Sequence, residues 1–197
     1  MCENFEMVEK TETHSLRLEY QALLIFLCAG IYFYAFKVNL FLFDWLQFSA
    51  GVSWIFIPSG LRLLFVLVLH QTGAIAIALA SCLINYTYGV PDAHLFNIVT
   101  ALISGASPSL ARSMAVNFLE LSTDLDGLTV QNLFKTSVLF ASMSAVLHQL
   151  WYFWYGMTPN FMASTFAMLV GDWLGTVLVL TLASLLFKAY RKIFYIQ

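Results

Sequence analysis

The stretch Phe161–Phe187 reads FMASTFAMLVGDWLGTVLVLTLASLLF and contains one charged residue, Asp172. A helix that crosses the hydrocarbon core of a bilayer needs about 20 predominantly apolar residues. This stretch meets that requirement, and Tyr20–Phe36 is a second apolar run of the same kind. The two runs predict membrane-spanning helices near both ends of the chain.

The composition extends this interpretation to all 197 residues. Hydrophobic residues make up 60% of the chain, charged residues only 10%, and the mean hydropathy is +0.80. Soluble domains are about 45–50% apolar and about 25% charged. We therefore expect an all-α fold, a polytopic integral membrane bundle of about six transmembrane helices, or up to about eight if re-entrant or interfacial segments also enter the membrane.

The same arithmetic excludes several classes of function. No polar stretch reaches the size of a soluble catalytic domain, about 50 residues or more, so we expect no kinase, cyclase or ATPase domain and no enzyme. The net charge is −2 and no basic block occurs, so no nucleic acid is expected as a partner. No metal-ligand spacing and no phosphate-binding loop is present, so no cofactor is predicted.

Breaks in the apolar pattern divide the chain further. The predicted helices are Tyr20–Phe36, Ser59–His70, Gly73–Tyr88, His94–Leu121, Gln131–Tyr155 and Phe161–Phe187. Val38–Gly51 is apolar but short and carries Asp44 at its middle, so we expect an interfacial or re-entrant segment. Ser122–Asp126 is predicted to be a polar loop.

Glycine and proline modify three of these helices. Pro58 predicts an extended or kinked entry through Trp54–Pro58. Pro108 predicts a break or bend in the fourth helix, and the glycines around Asp172 predict an interruption of the last one. Gln71–Thr72 is predicted to be a two-residue turn.

The chain is predicted to have three regions and one orientation. Residues 1–18 are expected to form a cytoplasmic tail, 19–188 a single membrane domain, and 189–197 a basic cytoplasmic tail. With the N-terminus inside and six spans, only Lys37 among the basic residues falls clearly outside. This predicts a multi-pass protein of the cell inner (cytoplasmic) membrane, with the lipid bilayer as its first partner and both termini in the cytoplasm.

Ionisable residues inside membrane segments are the candidate site residues, because each costs roughly 2.5–3.5 kcal/mol on insertion scales. Arg62 and Asp172 are predicted to pair, or to flank a polar cavity that receives a ligand. The alternatives are a purely structural ion pair, or an Arg62 side chain that reaches the head groups. Gly171 and Gly175 flank Asp172 at the spacing of a helix-packing notch.

Two further observations bear on the site. His148 lies in an apolar segment, where a hydrogen-bonded structural role and haem ligation are both open. The aromatic fraction is 16%, so residues such as Trp54 and Trp173 are candidates to line a pocket for an apolar or planar ligand, with interface anchoring and core packing as alternatives.

Several of these motifs together resemble one family. Trp54-Ile55-Phe56-Ile57-Pro58-Ser59-Gly60-Leu61-Arg62 resembles the W-x-P-x-G entry of the type-one membrane-associated sensor (MASE) domain, and it is most similar to the membrane part of the hexose-phosphate sensor kinase. Asn97–Leu102 resembles the small-residue helix of that family, and Leu125–Leu128 its next segment, without the family's arginine. Leu169–Gly175 is similar to its w-w-l-g-D-x-x-G signature.

The resemblance implies a bacterial integral-membrane input domain of the kind that is usually fused to histidine kinases or diguanylate cyclases. We expect a standalone, sensor-like module that binds a ligand, a partner membrane or signalling protein, or both, and that signals or scaffolds through that partner. A homo-oligomer is also open. The candidate ligand- or partner-binding residues are Trp54, Pro58, Gly60, Arg62, His148, Asp172 and Trp173.

Two alternatives come from other classes of protein. Substrate-binding subunits of energy-coupling-factor vitamin transporters have a similar size, six spans and no ATPase of their own. An accessory or assembly subunit of a membrane complex also fits the size and apolarity, although no motif supports it.

Overall fold

The structure is a computed structural model that describes residues 2–90, 92–118, 129–158 and 160–194. Most of these residues are helical, which confirms an all-α fold for this part of the chain. Its six α-helices are α1 (Cys2–Phe43), α2 (Ile57–Leu69), α3 (Gln71–Tyr88), α4 (His94–Phe118), α5 (Val130–Trp154) and α6 (Phe161–Phe194). A 3₁₀ turn at Asp44–Leu46 and the short strands β1 (Gln47–Ser49) and β2 (Val52–Ser53) lie between α1 and α2.

Helix α2 begins where the sequence predicts an extended entry. Phe56 has non-helical backbone angles (φ −131°), and Pro58 lies in the first helical turn, where its missing N–H leaves no hydrogen bond unmade. The helix ends at Leu69, and His70 alone (φ +53°) reverses the chain into α3. The predicted two-residue turn at Gln71–Thr72 is therefore wrong, because both residues already belong to α3.

Side-chain caps start the last two helices. The Thr129 hydroxyl oxygen accepts a hydrogen bond from the Asn132 backbone N–H at 3.1 Å. Asn160 Oδ1 accepts one from the Ala163 N–H at 3.1 Å. Such caps satisfy backbone donors that a helix leaves unpaired at its first turn.

Helices α2 to α6 form a closed arrangement. Each packs against the next, α6 returns to pack against α2, and α1 packs outside them against α3 and α2. The short connections make successive helices antiparallel. The end of α1 therefore lies beside the starts of α2, α4 and α6 and the ends of α3 and α5.

A small hairpin covers this end of the bundle. Strands β1 and β2 pair antiparallel, with Gln47 opposite Ser53 and Ser49 opposite Val52. Gly51 turns between them with φ +73°, a conformation that favours glycine, and it approaches the Tyr152 hydroxyl closely. We call the segment Asp44–Ser53 the cap.

The interior of the bundle is unusually polar and its outer surface unusually apolar. Buried polar side chains outside the ion pair include Ser59, Asn97, Ser107, Thr136, Gln149 and Thr176. Large apolar side chains are exposed along every helix, for example Phe26 (73%), Phe41 (87%) and Phe166 (60%). Among the described residues, two segments are long and apolar enough to cross a membrane, Arg17–Leu46 (30 residues) and Phe161–Leu186 (26 residues).

Three predictions about individual segments are corrected. Val38–Phe43 is the last part of α1, so the predicted interfacial or re-entrant segment is reduced to the cap. Helix α6 runs through Gly171–Asp172 and Gly175 without interruption, because these glycines serve close packing rather than a break. Helix α4 is also continuous through Pro108, so the predicted break is wrong, and the alternative of a bend stays a prediction.

The predicted regions do not end at helix boundaries. Positions 18 and 189 lie inside α1 and α6, which continue to Cys2 and Phe194. The predicted loop Ser122–Asp126, the Leu125–Leu128 segment and the last three residues lie outside the described residues.

Candidate functional site

Arg62 and Asp172 meet in the interior between α2 and α6. Arg62 Nη2 donates to Asp172 Oδ1 at 3.0 Å, and the two side chains are 2% and 1% exposed. Arg62 Nη1 donates to Ser144 Oγ on α5 at 3.4 Å. The guanidinium carbon lies 5.4 Å from the ring centre of Phe56 and 5.6 Å from that of Phe140. This is the predicted ion pair. Both side chains are buried, and each has a charged and hydrogen-bonded partner, as a buried charge requires.

Glycines allow the entry to α2 to lie directly on α6. The Phe56 backbone N–H donates to the Gly171 carbonyl oxygen at 3.1 Å. A Cβ atom at Gly171 would overlap the carbonyl oxygen of Ser53, and one at Gly175 would overlap that of Phe56. The two motifs that the sequence singles out separately are therefore one packed unit.

Hydroxyl groups complete this contact. Ser59 Oγ lies 2.7 Å from the Asp172 carbonyl oxygen and 3.3 Å from Thr176 Oγ1. Thr176 Oγ1 donates to the same Asp172 carbonyl at 2.6 Å. Ser59 and Thr176 are both fully buried. Helix α2 therefore contacts both the backbone of Asp172, through Ser59, and its side chain, through Arg62.

A cavity of about 400 Å³ lies between this unit and the cap. Its walls come from all six helices, at the end of the bundle where α1 ends and α2 begins. Ligand pockets in proteins typically have volumes of about 300–1,000 Å³. The volume is therefore sufficient for a small organic molecule.

The cavity wall combines polar and aromatic side chains. Its polar residues include Asn39, Arg62, Ser81, Asn97, Thr100 and Ser104. Its aromatic residues include Tyr32, Phe36, Phe56, Tyr88, Phe96 and Tyr152. Among the described lining residues, Arg62 and the exposed Asp44 at the cap are the ones with a full charge. Such a wall is suited to hydrogen bonds and ring contacts with a ligand rather than to ionic contacts.

His148 lies on the same wall. Its Nδ1 is 2.8 Å from the Ser144 carbonyl oxygen and its Nε2 is 3.2 Å from Ser104 Oγ. A carbonyl oxygen only accepts, so Nδ1 carries the hydrogen and Nε2 is left as an acceptor. This geometry agrees with the hydrogen-bonded alternative for His148 and orients its ring beside the cavity.

The structure divides the seven candidate site residues into three groups. Arg62 and His148 line the cavity, and Asp172 lies directly behind Arg62. Pro58 and Gly60 are buried packing residues, and a Cβ at Gly60 would come within 2.7 Å of the Gly175 carbonyl oxygen.

The two tryptophans lie away from the cavity lining. Trp54 packs edge-on against Phe48 and Phe166. Trp173 packs edge-on against Phe134 of α5. Both therefore agree with the packing alternative, because their rings contact other aromatic side chains and neither residue lines the cavity.

The sequence interpretation missed most of the cavity wall. Ser81, Asn97 and Ser104 lie in runs of small residues whose pattern indicates helix packing. Tyr32 and Tyr152 lie in apolar or aromatic runs whose pattern does not indicate a binding site. The sequence contains one indication of a polar cavity wall, the amide of Asn97 inside an apolar run, because a buried amide needs hydrogen-bond partners.

The described residues contain no group of three or more His, Cys, Asp or Glu side chains that could hold a metal ion. The arrangement instead offers hydrogen-bond donors, acceptors and rings around one enclosed ion pair. No family model, curated protein or solved structure matches this chain.

Proposed function

We propose that this chain is a sensor-like integral membrane module that binds a small ligand in the cavity and acts through a partner membrane protein. The observation that carries the proposal is the cavity itself, with Arg62 and His148 on its wall and Asp172 behind them. Concave, largely apolar pockets with a few convergent polar groups are the usual form of a small-molecule site.

The distribution of polarity supports a membrane location. In soluble proteins, most fully buried side chains are apolar, whereas this bundle buries serine, threonine and amide side chains and exposes large apolar ones. Small and polar residues at helix contacts with apolar residues outside are typical of membrane bundles. We propose that all six helices cross the membrane, the shorter ones together with their flanking residues.

The proposed orientation places both termini in the cytoplasm of a cell with an inner membrane. It follows from the lysine and arginine distribution, and it puts the cap and the cavity on the outer side. Reporter fusions at Met1 and at Gln197 are expected to give cytoplasmic readouts. A fusion in the cap at Ala50, an exposed position, is expected to give the opposite one. A periplasmic readout at either terminus would reject this topology.

The proposed mechanism is a shift between two packings of the bundle. Arg62 lines the cavity and also holds α6 through Asp172. A ligand that binds one packing better than the other shifts the population toward it. A partner helix, or a second copy of the chain, would respond to that shift, which is the role implied by the resemblance to the membrane-associated sensor family.

Two other functions use the same cavity or the same surface. A substrate-binding subunit of an energy-coupling-factor vitamin transporter would hold a vitamin in a cavity that opens on the outer side. An accessory or assembly subunit would need the apolar outer surface and no ligand. The cavity favours the first of these over the second.

A pull-down from native membranes in mild detergent, with mass spectrometry of proteins and small molecules, tests the proposal. We expect to recover a signalling partner together with a small molecule. The Ser104→Phe variant, whose larger side chain fills part of the cavity, is expected to lose the small molecule. Ser113→Phe is the matched control, because Ser113 is exposed on the same helix.

Other outcomes would contradict the proposal. A vitamin recovered together with ATPase subunits would identify a transporter subunit instead. A stable protein partner with no small molecule in wild type or control would favour the accessory subunit.

A further inference from the structure

We propose that the ligand is an uncharged ring compound whose hydrogen-bonding groups enter the cavity first. This inference rests on the proposed function and narrows the chemistry of its site. It follows from three features of the cavity: the charge on its wall, the depth of its polar side chains and the position of its rings.

The first feature is the charge. Arg62 is the cation among the described lining residues, and Asp172 already neutralises it at 3.0 Å. The other charged lining residue, Asp44, is exposed at the cap. An anionic ligand would have to lose its hydration without a free cation in exchange, which is costly in a buried site. An uncharged ligand avoids that cost.

The second feature is the depth of the polar groups. Ser81 lies seven residues before the end of α3 and Ser104 ten residues after the start of α4. At 1.5 Å per residue these positions are about 10 and about 15 Å below the helix ends. Arg62 contacts Ser144, ten residues before the end of α5, and His148 lies one turn nearer that end, so the two positions on α5 are about 15 and about 9 Å below it. These four polar groups therefore lie toward the inner end of the cavity, whereas Asn97, three residues after the start of α4, lies nearer the cap.

Part of this polar wall has unused hydrogen-bonding capacity. Asn97 is fully buried, and its Nδ2 donates to the Val90 carbonyl at 2.7 Å, but its Oδ1 has no hydrogen-bond partner. Arg62 Nε also has none. Buried polar atoms are rarely left without a partner. Both residues line the cavity, so one acceptor and one donor beside it match a ligand that carries both a donor and an acceptor.

The third feature is the set of rings. Tyr32 lines the cavity from α1, eleven residues before the end of that helix, and Phe96, Tyr88 and Tyr152 line it nearer the cap. Aromatic side chains gain from edge-on or offset contacts with another ring. A ring compound therefore fits between the polar inner end and the cap better than an open apolar chain, which has no use for the polar end.

Binding by the purified full chain in detergent to matched pairs of probes tests this inference. The pairs are nicotinamide and nicotinate, uridine and uridine monophosphate, and adenosine and adenosine monophosphate. Each pair differs mainly in one anionic group. We expect the uncharged member of at least one pair to raise the Tm by about 3 °C or more at saturating concentration, and its anionic counterpart to raise it less.

Two variants locate the binding. Ser81→Val removes a polar group from the inner end of the cavity. It is expected to raise the Kd of the binding probe about fivefold, because that is the usual effect of losing one neutral hydrogen bond. Ser104→Phe is expected to abolish the Tm shift. Ser113→Val and Ser113→Phe are the matched controls, because Ser113 is exposed.

The outcomes separate this inference from the proposed function. A larger shift with the anionic members would reject an uncharged ligand but leave a ligand-binding cavity. Unchanged binding in both cavity variants would place the probe elsewhere and reject the inference. No shift with any probe would also reject this ligand class, while the small molecules recovered from native membranes would decide separately whether the cavity binds a ligand.

Discussion

The two ends of the same helices are packed in different ways. At the end away from the cap, Leu63, Leu67, Ala111, Ala115 and Phe140 form a closed apolar cluster. At the end under the cap, the same helices carry polar side chains and surround a cavity. The Arg62–Asp172 pair lies at the boundary between the two. The comparison shows that one bundle can combine a closely packed apolar half with a half that encloses a cavity.

The largest effect on stability is expected when the Arg62–Asp172 ion pair at this boundary is disrupted. Asp172→Ala leaves the buried Arg62 charge without its partner and is expected to lower the free energy of unfolding by about 3–5 kcal/mol. Asp44→Ala is the matched control, because Asp44 is exposed. Thermal unfolding of the purified chain in detergent measures both. Equal losses would remove Asp172 from the site.

A double variant tests whether the loss comes from the unpaired charge. Arg62→Leu combined with Asp172→Leu removes both charges and is expected to recover most of the stability that Asp172→Ala loses. A double variant as unstable as Asp172→Ala would show that the pair is not the cause.

The closed half and the cavity half are expected to respond differently to truncation. Leu63 is fully buried in the closed cluster, so Leu63→Ala is expected to cost about 2–5 kcal/mol. Ile84 belongs to a second buried apolar cluster but also lines the cavity, so Ile84→Ala enlarges in part an existing space and is expected to cost less than Leu63→Ala. Chemical or thermal unfolding of both variants gives the comparison. A larger loss for Ile84→Ala would contradict it.

The glycine contact between the α2 entry and α6 is expected to be intolerant of a methyl group. Gly175→Ala would overlap the Phe56 backbone and is expected to cost about 1–3 kcal/mol. Gly30→Ala is the control of opposite sign, because nothing lies within 4 Å of its Cβ position in α1. That change is expected to stabilise the helix by about 0.5–1 kcal/mol. Two changes of the same sign in the measured Tm would contradict the contact.

The smallest effect is expected from the hydroxyl at the same contact. Ser59→Ala removes one buried hydrogen bond to the Asp172 carbonyl and is expected to cost about 0.5–1.5 kcal/mol. Ser113→Ala removes only an exposed bond within α4 and is expected to change the Tm little. A neutral Ser59→Ala would show that this hydroxyl does not contribute to the contact between the two segments.

The positions of most helices along the chain were predictable, because apolar runs and prolines influence the conformation of the residues next to them. Pro58 marked the start of α2, and the apolar run after Gly73 marked α3. The predicted interruption of α6 was wrong because Gly171 and Gly175 have two local interpretations, a break or a close contact. Only the neighbouring Ser53–Phe56 backbone decides between them.

The sequence alone determined that the chain is helical, apolar and poor in charge, because composition and periodicity do not depend on which segments meet. It also identified Arg62 and Asp172 as costly residues that need partners. Only the tertiary structure decided that these two side chains, 110 residues apart, pair with each other, and that Ser81, Asn97 and Ser104 face one cavity. The physical reason is that each helix presents several faces of similar character, and only packing against its neighbours selects the one that turns inward.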